Sequence, residues 1–88
     1  MKLNGSFVLR EVAGECLAIP VGETALKFGG MIVLNPTSRV IWEILQQDVT
    51  ETDIVDAITQ RFDTTAEEAQ ADVRAFLEQM KAESLITE

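Results

Sequence analysis

Fifteen carboxylates, one thiol and no imidazole are what this 88-residue chain offers for chemistry. Without histidine there is no Ser-His or Cys-His nucleophile pair, no imidazole metal ligand and no side chain that titrates near neutrality by default. Cys16 stands alone, so an internal disulfide and a cysteine metal cluster are both excluded. It reads as a small buried apolar residue, with a reactive thiol as the lesser alternative. The expectation is a chain with no catalytic residue, no metal and no cofactor.

Any functional surface needs elements to hold it, and the clearest junction between elements is Met31-Ile32-Val33-Leu34-Asn35-Pro36-Thr37. A β-branched apolar run gives way there to a helix start. The Asn35 side chain can accept from the orphan backbone donors of the next turn, and Pro36 at the first helical position removes a donor that has no partner anyway. Upstream, Ser6 to Val12 alternates as a half-buried strand does, with Phe7 and Leu9 on one side and Val8, Arg10 and Val12 on the other. Ala13-Gly14 reads as a turn, and Glu15 to Val21 as a second strand with Leu17, Ile19 and Val21 on one face. Pro20 lacks a ladder donor, which suits an edge or a strand end. Three glycines around Ala25-Leu26-Lys27-Phe28 mark a longer connection with its own apolar anchor, leading to a third strand at Met31 to Leu34. Three antiparallel strands are the expected total.

Downstream the period changes to that of helices. Val40-Ile41-Trp42 and Ile44-Leu45 put apolar groups three and four apart on a first helix from Pro36 to about Gln47. Trp42, the only tryptophan, reads as a core plug. Thr50 caps a second helix presenting Ile54, Val55, Ile58 and Phe62, and Asp63-Thr64 ends it. Thr65-Ala66-Glu67-Glu68 has the spacing of a reciprocal capping box and opens a third helix with the stripe Ala69, Val73, Phe76, Leu77 and Met80. Leu85-Ile86 should fold back onto the bundle.

The apolar fraction of 47% suffices for a thin core in one domain over residues 1–88. No apolar run approaches the ~20 residues that span a bilayer. No basic segment followed by an apolar stretch opens the chain, so the expected location is the cytoplasm, with no membrane partner. The net charge of −8 is placed unevenly: residues 1–34 balance, whereas residues 35–88 carry four cations against twelve acids. That sign repels phosphate backbones, so nucleic acid is not an expected partner.

The run Leu34-Asn35-Pro36-Thr37-Ser38-Arg39-Val40-Ile41-Trp42-Glu43-Ile44-Leu45 resembles the PqqD-like family, small winged-helix-type proteins named after the pyrroloquinoline quinone biosynthesis chaperone. The resemblance continues through Thr50 to Val55, Arg61-Phe62-Asp63, Asp72-Val73-Arg74-Ala75-Phe76-Leu77 and Leu85-Ile86. It implies an α+β, winged-helix-like fold, a three-stranded antiparallel sheet followed by three helices. Members that serve quinone synthesis tend to carry Ile-Leu at Ile41-Trp42 and Cys-Asp-Gly at Gln47-Asp48-Val49. The Trp42 form is more similar to stand-alone recognition proteins near lasso-peptide, thioether-peptide and other modified-peptide pathways.

By that resemblance the chain is a non-catalytic element that binds the leader of a ribosomally made precursor peptide. It would present the core portion to a modifying enzyme such as a radical S-adenosylmethionine (radical SAM) protein or a leader peptidase. The leader is expected as an added strand along Met31, Ile32, Val33 and Leu34, in the groove between the third strand and the third helix, with Asp72, Phe76 and Gln79 on the helix side. Met31, Val33 and Phe76 are equally well explained as core. Glu68, Asp72 and neighbouring acids could attract a basic leader residue or be simply a solvated face. Three other readings stay open: a winged helix that binds protein, or DNA, the latter disfavoured by charge; a carrier protein, on the faint attachment-site likeness of Glu83-Ser84-Leu85; and a homodimer joined at the free strand edge.

Overall fold

The computed structural model describes residues 1–87. Its elements in chain order are β1 (Lys2–Leu3), β2 (Phe7–Val12), β3 (Glu15–Pro20), α1 (Glu23–Lys27), β4 (Ile32–Leu34), α2 (Pro36–Ile44), α3 (Glu51–Arg61), α4 (Ala66–Ala82) and β5 (Ile86–Thr87). The architecture is α+β and winged-helix-like: an antiparallel sheet ordered β2-β3-β4, followed by the helices α2, α3 and α4.

Ala13 and Gly14 both adopt positive φ, 54° and 82°, which gives the β2–β3 hairpin the two-residue turn whose twist matches that of its strands. Pairing runs from Phe7 opposite Pro20 to Val12 opposite Glu15, so Pro20 closes the ladder at a strand end. On β3 the core-facing residues are Cys16 and Ala18, while Leu17 and Ile19 are half-buried and Val21 lies exposed beyond the strand. The expected face Leu17-Ile19-Val21 is therefore the outer one. Small side chains inside leave room for Ile41, Trp42 and Leu45 in the same core.

Three further expectations are corrected. The sheet has three strands, but a second, two-stranded sheet pairs Leu3 with Ile86 and Lys2 with Thr87, so the strand total is five among the described residues. The connection after β3 contains α1, where Thr24 Oγ1 accepts from the Ser6 N–H at 2.8 Å. Of its apolar residues only Phe28 is an anchor, edge-on to Phe7 at 6.0 Å, whereas Leu26 is exposed. Finally, α2 ends at Ile44, and tighter turn bonds from the Gln46 N–H to Glu43 and the Gln47 N–H to Ile44 finish it.

All three long helices start on side-chain caps. Asn35 Oδ1 accepts from the Ser38 N–H at 2.8 Å while Ser38 Oγ accepts from the Asn35 N–H at 2.9 Å. Thr50 and Asp53 form the same reciprocal pair on α3. On α4 Thr65 Oγ1 accepts from Glu68, but the Glu68 carboxylate takes a bond from Thr64 Oγ1 instead of closing the box. At its far end α4 stops in a Schellman turn: the Ser84 N–H donates to Lys81 O and the Leu85 N–H to Met80 O, with Ser84 at φ 58°. That turn sends Leu85 and Ile86 back into the core, as the sequence implied, and makes β5 possible.

The α4 stripe Ala69, Val73, Phe76, Leu77 and Met80 is buried throughout, with Ile54 and Ile58 of α3 and Ile41 and Trp42 of α2. Trp42 is 3% exposed and stands edge-on to Phe7 at 5.0 Å. No helix among the described residues is long and apolar enough to cross a membrane.

Candidate functional site

Strand β4 borders β3 and has no other strand neighbour among the described residues, so one row of its backbone donors and acceptors is unpaired by the sheet. Alternation divides its side chains. Ile32 and Leu34 belong to the core, whereas Val33 is 62% exposed and Met31, just before the strand, is 60% exposed.

Beside Val33 lies a cleft of about 330 Å³ between the end of β4, the start of α2 and the middle of α4. Asp72, Ala75, Phe76 and Gln79 line it from α4, three and four apart as one helical face requires. Ile41 and Phe76 form its apolar floor, both buried. Polar groups form the rest: Asn35, Thr37 and Ser38 from the capped junction, and Asp72 and Gln79 from the helix. Val33, Asp72, Phe76 and Gln79 thus share one cleft, Ile32 and Leu34 reach it only through the strand they belong to, and Met31 stands exposed before that strand.

Asn35, Thr37, Ser38, Ile41 and Ala75 were not in the set read from sequence. The signal was there, since a cap that turns an edge strand directly into a helix must leave its first-turn side chains beside that edge. A second, larger cavity of about 920 Å³ had no such signal. Its lining comes from three distant stretches: Asn4–Ser6, the region of α1 with Glu23 and Lys27, and Glu83–Leu85.

Among the described residues the cleft is lined by one carboxylate, Asp72, and no cation. Arg74 of α4 points elsewhere, bonding Glu51 at 3.0 Å, and that hydrogen bond raises its pKa above the usual value. Arg39 is likewise held by Glu11 at 2.6 Å, with Glu43 at 3.5 Å, and is raised first by the Glu11 bond. A groove of this kind offers unpaired backbone groups along one side and a pocket for a side chain on the other.

An α+β bundle with an open sheet edge beside its last long helix is the class of protein that this fold and cleft define. A family model described as coenzyme PQQ synthesis protein D (PqqD) matches residues 4–86, and the chain belongs to that family. A solved structure described as TbiB1 in complex with the TbiA(beta) leader peptide shares the fold, with a TM-score of 0.69 at 22% identity, covering 97% of this chain and 93% of that one. Comparison with curated proteins returns no match.

Proposed function

We propose that this protein binds the leader segment of a ribosomally made precursor peptide as an added strand on β4, in the groove between β4 and α4. It holds the peptide for a modifying enzyme, a radical SAM protein or a leader peptidase, and takes no part in the chemistry. The observation that carries this reading is the unpaired β4 edge with a cleft beside it. Membership of the PqqD family and the likeness to TbiB1, itself described in complex with a leader peptide, support it.

The physical terms are consistent. Main-chain pairing gives affinity with little demand on sequence, and alternate side chains entering pockets give selectivity. If about four to six backbone bonds form, each contributes only about 1 kcal/mol net, less than the cost of ordering a flexible peptide. Apolar surface still open to water at the edge, Met31 and Val33 above all, must supply the remainder. Self-association through the same edge is the competing use of β4, and sedimentation over a concentration range separates the two.

Val33→Asp provides the test. An exposed position tolerates the change within about 0.5 kcal/mol of stability. Leader affinity, measured by fluorescence anisotropy, should fall about tenfold or more as a charge enters the docking edge, equivalent to about 1.4 kcal/mol. Unchanged affinity in a folded variant would remove β4 from the site.

A further inference from the structure

Resting on the leader-binding reading, we infer that Asp72 is a specificity-determining residue, selecting a leader strand that carries lysine or arginine where it faces the cleft. Three observations lead there. The cleft floor, Ile41 and Phe76, is apolar, while Asp72 and Gln79 stand on its α4 side. Asp72 is exposed and forms no ion pair with any cation among the described residues. Arg74 of α4 is committed to Glu51, and Arg39 of α2 to Glu11 and Glu43.

A strand paired to β4 turns alternate side chains toward α4. One residue type satisfies both parts of the cleft, a long aliphatic stem that lies along its apolar lining beside Val33 and a charged head that reaches the carboxylate. Leucine covers the floor but leaves Asp72 unused. Glutamate meets like charge, both from Asp72 and from the half of the chain that holds the entire net charge of −8. At the C-terminal end of α4 the picture differs, because Lys27 lines the same cavity as Glu83, so the cation preference belongs to the Asp72 cleft.

The probe is a peptide selected from a random display library against the full chain, chosen because it slows amide exchange at Met31 to Leu34. The position facing Asp72 is then varied to Lys, Arg, Leu, Tyr and Glu. Lys and Arg should bind about three- to fivefold more tightly than Leu, as exposed pairs allow, and Glu more weakly. The spread should shrink in about 0.5 M salt. Asp72→Asn should flatten the order and Asp72→Lys should reverse it, with β4 protection retained in both. An identical ranking in the parent chain and in Asp72→Lys overturns the inference while leaving strand addition standing. If no peptide protects β4, strand addition fails, and the role of Asp72 with it.

Discussion

Trp42 and Val33 show how little residue type alone says about role. The tryptophan, the more conspicuous candidate for ligand contact, is 3% exposed and wedged against Phe7. Trp42→Ala should destabilise the fold by about 3–5 kcal/mol in urea titration, the range for large-to-small core changes. Val33 is an unremarkable aliphatic at the sheet edge, yet its exposure is what a docking strand needs. Periodicity identified the buried members of α4 one by one, because a 17-residue helix repeats its pattern over several turns. It could not settle the inward face of β3, where both faces carry apolar side chains and packing against helices, rather than hydrophobicity, chose Cys16 and Ala18.

At the scale of elements, the junctions were the most legible parts. Asn35-Pro36, Thr50 and Thr65 each begin a helix in the structure, since capping is local chemistry between residues three apart. Asn35→Ala should cost about 1 kcal/mol in thermal or chemical denaturation. It should also loosen the first turn of α2, which walls the cleft. Ser84 offers the opposite change: it holds φ 58°, a conformation that favours glycine, at the αL position of the Schellman turn. Ser84→Gly should raise stability by about 1 kcal/mol, read as a higher denaturation midpoint. The strands β1 and β5 were not legible because two residues show no period, and their pairing joins positions more than eighty apart. Helix α1 was missed for a related reason, having five residues and none of them buried.

For the whole molecule, charge and topology together shape the candidate site. The sheet half is neutral and the helical half carries −8, so the groove lies between a neutral apolar edge and an acidic helix. Family resemblance located the groove, but its walls became visible only with the fold, which brings residues 33–41 beside 72–79. The second cavity depends on closure of β1 against β5, which no local pattern announces. Amide hydrogen exchange on the isotope-labelled chain, with and without the leader of its precursor, tests the central claim most directly. Backbone amides within Met31 to Leu34 that are open on the free edge should gain protection, accompanied by shifts at Asp72, Phe76 and Gln79. Saturable leader binding that leaves the β4 amides and the α4 face unchanged would contradict strand addition.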